Sequence, residues 1–429
     1  MRPLGKPHTP LKMHVKFLIH IILLVFVAGC QSLPQQPEPA PPPPPPKVKS
    51  ARVVGDVNAT NSLEPIPWSE VPPALFQDSA TRTWADALEN SATYYRRVPA
   101  DKLFNFGSQT VSAASLLKGC IELAKVARGE DMAQLKTLLQ QRFRLFRSVG
   151  NSEGDVLVTG YYEPLLHGSF TRSKRYYYPI YRRPPDLVES SQGNYRLVKG
   201  KREKYYSREQ IDGQILKQNF SKKQTGALAN RGLELVWVDS AIDAFFLHIQ
   251  GSGRVVLENG QVMRLGYHGA NGRAYVPIGK ILIEEGKIPK AEMTMPRLRQ
   301  WLRDNPGENQ RLFHANPSYV FFHELSGPPV GNINVPLTQD RSIATDHRLF
   351  PKGAPAILAT TIPHFAQDGK TVTEWRPEAR FVVNQDTGGA IRGAGRVDLF
   401  FGFGDKVEYQ AGVMKQSDST LYFIAPRIE

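Results

Sequence analysis

From about residue 68 the chain alternates between helical and extended spacing of its apolar positions. The segment DSATRTWADALENSATYYRR starts at Ser79 or Thr81 and places Trp84, Leu88 and Tyr94 at helical intervals, which predicts a helix. VSAASLLKGCIELAKVAR and MAQLKTLLQQRFRLFRSV predict two more, separated by Gly129-Glu130-Asp131. At GDVLVTGYYEPLL the pattern switches to a β-branched run ending in aromatics, a strand signal. Between about 166 and 312 the text is strand-like (RYYYPIYRR, ELVWVDS, AFFLHIQGSGRVVLE, QVMRLGYHG), with helices expected at SREQIDGQILKQ, PIGKILIEEG and MPRLRQWLRD. From about 316 it is short strands and turns: PSYVFFHEL, PAILATTI, ARFVVNQ, VDLFFGF and LYFIAP. Helices first, a mixed middle and an all-β end predict an α+β chain that is mainly β. A β-barrel is the natural form of the last part, because closure removes exposed sheet edges. No internal repeat, phosphate-binding loop or GxSxG elbow is present.

The N-terminus reads as a secretory signal. A positive segment ending at Lys16 precedes the apolar run FLIHIILLVFVAG. That run is short for a bilayer span, which takes about 20 residues. It ends in Val27-Ala28-Gly29-Cys30, which resembles a bacterial lipoprotein box, so Cys30 is the expected lipidation site, with a retained short anchor as the other reading. In such lipoproteins a residue like Gln31 after the cysteine implies sorting to the outer membrane. Met13 would give a tidier start than Met1. Residues 31–50 hold Pro34, Pro37, Pro39 and the run Pro41–Pro46, an extended spacer at roughly 3.1 Å per residue where it is polyproline-like. The expected organisation is signal 1–30, linker 31–67 and a globular body from 68.

With 429 residues and 41% apolar content the chain can fill two cores of ordinary size. The formal net charge is +14; Arg2, Lys6, Lys12 and Lys16 fall in the signal without any acid, leaving the body at +10. A basic body suits an acidic polymer or anionic surface. Nucleic acid is not favoured, since no zinc-finger spacing, RNP-like motif or dense Lys/Arg cluster occurs. Only two cysteines exist; with Cys30 lipidated no intrachain disulfide can form, and Cys120, in an amphipathic helical pattern, reads as a buried structural thiol. The histidines show no HExxH-type spacing, so neither metal nor other cofactor is expected.

The candidate chemistry lies in ARFVVNQDTGGAIRGAGRVDLFFGFGD. Asp386 and Asp398 stand twelve residues apart, and Asp398 is flanked by Val397 on one side and Leu399, Phe400 and Phe401 on the other. Such an acid is either a strand-end turn residue or a group held out of water, and partial desolvation raises a carboxylate's pKa toward the range of a general acid. Asp386 before Thr387-Gly388-Gly389 also fits ordinary turn chemistry, and Asp346 fits a loop acid paired to His347 or Arg341.

Several ordered segments resemble the membrane-bound lytic murein transglycosylase A family. They are Thr159–Pro164 (TGYYEP), Phe246–Gly253 (FLHIQGSG), Gly266–Gly272 (GYHGANG), Asn316–Phe322 (NPSYVFF), then Val335–Leu337, Ile343–Asp346 and the Asp386/Asp398 stretch, which looks like a three-aspartate module. The resemblance covers roughly residues 80–427. It implies a double-psi β-barrel domain (68–165 plus 313–429, the three-aspartate module at about 335–427), an inserted second β-rich domain (166–312) and a groove between them for a glycan strand. It also implies cleavage of the β-1,4 bond between N-acetylmuramic acid and N-acetylglucosamine in peptidoglycan with 1,6-anhydromuramoyl products, by an outer-membrane lipoprotein facing the periplasm that meets other murein synthases or hydrolases. The family's catalytic aspartate aligns with Asp398; Asp386 and Asp346 take supporting roles. Tyr161, Glu163, Gln250, Ser252 and Tyr319 are candidate groove residues, against packing for the tyrosines and turn formation around Ser252. Glu324 in FFHEL serves as a control acid. A muramidase-type hydrolase and a non-catalytic murein-binding lipoprotein are the competing readings.

Overall fold

The computed structural model describes residues 56–213, 225–404 and 406–427. The signal, Cys30, the proline run and the second half of the helix expected at SREQIDGQILKQ lie outside the described residues. The N-terminal part holds β1 Leu63–Ile66, α1 Thr81–Arg96, β2 Leu103–Phe106, β3 Gln109–Ser112, α2 Ala113–Arg128, α3 Met132–Arg142, β4 Phe143–Ser148 and β5 Val156–Glu163. The middle holds β6 Leu165–Ser169, β7 Tyr178–Tyr181, β8 Tyr195–Val198, β9 Lys201–Lys204, α4 Arg208–Asp212, β10 Glu234–Val238 and α5 Ala241–Gln250. It continues with β11 Gly253–Leu257, β12 Val262–Ala270, α6 Ile278–Glu284, α7 Met295–Asp304, α8 Asn309–Ala315 and β13 Val320–Leu325. The C-terminal part holds β14 Ser342–Ala344, β15 Pro355–Phe365, β16 Val372–Asp386, β17 Arg396–Phe403, α9 Val407–Val413 and β18 Lys415–Pro426.

Two expectations are corrected. RFRLFRSV does not continue α3, because Phe143 starts a strand whose edges pair with β1 and β18, and sheet hydrogen bonding overrides the helical reading. AFFLHIQ is the helix α5, not a strand. Ser240 caps it by accepting from the Asp243 N–H, and Gly251 closes it at φ 81°. Phe245 to His248 are all buried, and a helix with four consecutive buried residues shows no helical period in sequence.

Strands β18, β15, β16, β14, β17 and β5 form a ring, closed by β5 pairing back to β18; β4 and β1 extend the sheet from β18. The ring draws β5 from the N-terminal part and the rest from the C-terminal part, and is parallel at β14–β16 and β17–β5. A second, six-stranded sheet runs β13-β12-β11-β6-β10-β7. Its last member, β13, pairs with β12, so this sheet extends to Leu325, past the edge at 312 suggested by composition.

α1 covers the barrel through Trp84, which stacks on Phe381 at 4.4 Å between ring centroids and donates its indole N–H to the Val382 carbonyl at 3.2 Å. Beside it Arg341, immediately before β14, is buried against Asp78 and donates to the Phe381 and Ala80 carbonyls. α9 packs directly over β5 at Gly160, where a Cβ would lie 2.7 Å from the Ala411 Cα, so only glycine fits between Thr159 and Tyr161.

Candidate active site

Period-two alternation decides what Asp398 faces. Val397, Leu399 and Phe401 on β17 enter the main core, while Asp398 and Phe400 point to the other side of the strand. There Phe400 joins Tyr161, Leu337, Ala344 and Ile391 in a small apolar cluster, and the Tyr161 and Phe400 rings lie 5.1 Å apart. Asp398 sits opposite Ala344 of β14 on one flank and opposite Thr159 of β5 on the other. On the far flank of β14, a register shift skips Gln385 and brings Asp386 opposite the same Ala344. Asp386, Ala344, Asp398 and Thr159 thus form one row across four strands. The two aspartates are separated by two strand spacings, about 10 Å between Cα positions.

The two carboxyls have different partners. Asp386 accepts from the Tyr161 hydroxyl at 2.9 Å and from the backbone N–H groups of Asn332 at 3.0 Å and Thr387 at 2.8 Å. Burial nevertheless pushes it up to about 6 against those donors, with Asp398 adding to the rise. Asp398 accepts on one oxygen from the Thr159 hydroxyl, and no described residue donates to the other. Arg396 donates to the Thr159 oxygen at 3.0 Å, so the hydroxyl's own proton is directed at Asp398. Burial pushes Asp398 up to about 6, opposed by Arg396. A half-buried carboxyl raised to about 6 keeps far more of its acid form toward neutral pH than a free aspartate, and with an oxygen free it can give a proton and take one back.

Asp346 differs from both. It is fully buried and accepts from the Arg348 guanidinium at 2.9 and 2.6 Å, from the Arg348 N–H at 3.1 Å and from the Gly393 N–H at 2.9 Å. Burial alone would raise it, but these donors hold it well below the usual carboxylate range. Its cation is Arg348, not the His347 or Arg341 expected from sequence; Arg341 is taken by Asp78. Through Gly393, Asp346 ties down the loop that joins the other two aspartates.

The remaining predicted groove residues divide. Tyr161 is buried and reaches Asp386 from beneath the row. Glu163 is 2% exposed and paired with Arg254 at 3.0 Å, and the Arg254 guanidinium lies 3.2 Å from the centre of the Phe403 ring. This pair joins barrel strand β5 to β11 of the second sheet and offers no surface to a ligand. Tyr319 is 2% exposed, packed against His248 and Arg208, for the same reason a framework residue. Gln250 accepts from the Tyr162 N–H at 3.1 Å, bracing α5 on β5. Ser252 stands partly exposed at the turn between α5 and β11. Sequence reasoning passed over Thr159, Arg396 and Tyr275. The first two were findable from alternation, as each lies two residues from a site residue on its own strand. Tyr275, 37% exposed in the loop after β12, is held up by burial and by the charge of Asp398, opposed by Arg208. Among the described residues no group of three or more His, Cys, Asp or Glu could hold a metal ion.

Tyr161→Phe is expected to push the Asp386 carboxyl further up from about 6, because the hydroxyl's donation favours the charged form. A carbon-13 NMR pH titration of the carboxyl checks this; an unmoved midpoint would contradict the Tyr161–Asp386 contact.

A closed barrel completed from segments before and after the insert, with a second sheet spliced between its strands and two aspartates level in one row, defines a two-sheet barrel class. Residues 157–323 match the MltA specific insert domain and residues 341–424 the 3D domain. The chain is 34% identical over 262 residues to membrane-bound lytic murein transglycosylase A of Escherichia coli K12, a match covering 60% of this chain and 63%, less than two thirds, of that protein. Among solved structures, the lytic transglycosylase LtgG of Burkholderia pseudomallei is 34% identical, with TM-score 0.52, covering 89% of this chain and all of that one. A membrane-bound lytic murein transglycosylase from Agrobacterium tumefaciens is 28% identical, with TM-score 0.69, covering 85% and 98%. The chain belongs to the membrane-bound lytic murein transglycosylase A family.

Proposed function

We propose that this protein is a lytic transglycosylase that cleaves the β-1,4 bond between N-acetylmuramic acid and N-acetylglucosamine in murein, with Asp398 as its single proton donor and acceptor. The observation that carries the reading is the free oxygen of a half-buried Asp398 pushed up to about 6, on a face shared with Thr159 and Arg396. The protonated carboxyl gives its proton to the glycosidic oxygen as the C1–O bond breaks. The muramoyl 6-hydroxyl closes on C1, and its proton returns to Asp398. Atoms balance without water: one product ends in a 1,6-anhydro ring, the other in a free 4-hydroxyl. An internal nucleophile has an effective concentration on the order of 10⁵ M or more when well oriented, which is why one carboxyl suffices. Asp386 and Asp346 are positioning residues, the first shaping the field at Asp398 and the second holding the loop between them. The strand is taken to lie between the barrel and the insert, whose sheet runs from β6 to β13, with Ser252 and Tyr275 at its edge.

The relatives' names support a membrane-bound state, and among the described residues no helix is long and apolar enough to cross a membrane. Lipidation at Cys30 with outer-membrane sorting, periplasm-facing, is the form proposed for that attachment. A second reading, a muramidase-type hydrolase, is favoured by one observation: Asp386 stands in the same row as Asp398, opposite the same Ala344, as a second carboxyl for activating water. Incubating the protein with purified sacculi tests the enzymatic reading; soluble muropeptides ending in anhydromuramic acid are expected. Tight binding without release of soluble fragments would leave a murein-binding lipoprotein in its place.

A further inference from the structure

The ribbon β8–β9 is the strongest feature the site does not use. Its two strands pair with each other and, apart from a single bridge from Tyr195 to Val188, with nothing else described. The turn is Lys199-Gly200 with φ values of 48° and 77°, the primed geometry of a tight hairpin. Isolated two-stranded ribbons are marginal in water, and this one spends none of its side chains on a core: all of β9 is exposed, and Leu197 on β8 is 61% exposed. Within ten residues it carries five cations, Arg196, Lys199, Lys201, Arg202 and Lys204, against one acid, Glu203. Arg196 takes that acid at 2.6 Å. Lys199, Lys201, Arg202 and Lys204 have no ion-pair partner among the described residues. By register, Tyr195, Leu197, Arg202 and Lys204 share one face, and Arg202 lies over the Tyr195 ring at 4.6 Å.

The root of the ribbon is bonded to one loop. Asn194 donates to the Ala270 carbonyl at 2.7 Å, Asn271 to the Tyr206 carbonyl at 2.8 Å, and Arg273 to the Tyr205 carbonyl at 2.7 Å. The same loop continues to Tyr275, which senses the charge of Asp398. The cationic ribbon therefore rises from the loop that follows β12 of the second sheet.

We propose that the β8–β9 ribbon docks the carboxylate-bearing peptides of a peptide-substituted glycan strand while the aspartate row engages the sugars. This rests on the lytic transglycosylase reading, under which the polymer beside the row carries free peptide carboxyls. Charge complementarity selects that occupant: Arg202 and Lys204 on the Tyr195 face, Lys199 at the turn and Lys201 on the reverse face surround the ribbon with unpaired cations, and the partner presents repeated anions along its length. The apolar Leu197 and the Tyr195 ring supply contact area for the peptide between its charges.

The test is cosedimentation of the intact protein with sacculi, comparing wild type with K199Q/K201Q/K204Q, which alters three exposed side chains without ion-pair partners among the described residues. On native sacculi the variant is expected to bind roughly tenfold more weakly, with a flatter salt dependence, as three exposed ion pairs are lost. On sacculi whose carboxyls have been converted to amides, wild type and variant should bind alike. Equal binding to native sacculi, or an equal deficit on amidated sacculi, would overturn the proposal; a deficit confined to phosphatidylglycerol vesicles would assign the ribbon to a lipid surface instead. Muropeptide release from native and amidated sacculi is followed in parallel. If neither protein releases fragments from either preparation, the catalytic reading fails, while the binding comparison still decides whether the ribbon reads peptide carboxylates.

Discussion

Asp398→Asn is expected to reduce turnover by about three orders of magnitude or more, the upper range of what a positioned acid–base group contributes, with the fold intact. Asparagine keeps the shape and the contact with Thr159 but can neither give nor recover a proton. Because the acid form does the first step, wild-type kcat should fall as pH rises through about 6, where burial has placed Asp398. Asp386 is held near the same value, so the descending limb reports the ionisation of the pair and not of one residue alone. The stability effect has the opposite sign to the activity effect. With the folded pKa raised from 3.8 to about 6, the contribution of Asp398 to stability is fully present below pH 3.8 and is lost as pH rises through about 6. At neutral pH the wild type thus bears a cost that Asp398→Asn removes, and the variant should melt higher. Glu324→Gln, altering an exposed acid on β13, should match wild type in both assays. A variant with normal turnover, or one that melts lower, would remove Asp398 from the role given to it here.

Arg341→Ala is expected to destabilise the protein by about 3–5 kcal/mol, the range for breaking one side of a buried ion pair. Both partners are buried, and the guanidinium also bonds Thr83 at 2.9 Å and the carbonyls of Phe381 at 2.8 Å and Ala80 at 2.9 Å. Its loss strands Asp78, whose carboxyl burial would raise but which Arg341 and the backbone donors hold below the ordinary 3.8. The pair's contribution is therefore present above pH 3.8 and lost as pH falls through the folded value, so wild type and variant should converge on acidification. Denaturant midpoints across that pH range measure it, and an unshifted midpoint at neutral pH would contradict the account. Activity should fall only with the folded fraction, because Arg341 anchors β14 and stands outside the aspartate row.

Much of this was readable from residues alone. Trp84, Leu88 and Tyr94 announced α1, and the β-branched run before Tyr161 announced β5, because one buried face leaves a period in the text. The period vanished where burial is continuous, as in α5, and where pairing decides, as in β4. Asp398 was legible because alternation alone puts it opposite Val397 and Leu399. Asp386 was legible as an acid but not as its neighbour: the skipped Gln385 that brings it level with Ala344 belongs to the pairing of three strands distant in sequence. Glu163 and Tyr319 misled for a related reason. Polar or aromatic residues in a glycan-binding setting suggest a groove, whereas here Arg254 and His248, each remote in sequence, bury them in the frame. The cation for Asp346 was missed by one residue, since its loop geometry presents Arg348 and leaves His347 exposed.

If the sugar supplies its own attacking oxygen, Asp398 needs no partner to activate water. Digesting sacculi in water enriched in ¹⁸O and weighing the released muropeptides tests this directly. Anhydromuramoyl ends are expected, lighter by one water than reducing ends and free of the heavy isotope. Reducing muramic acid ends carrying ¹⁸O would contradict it and assign Asp386 the activation of water.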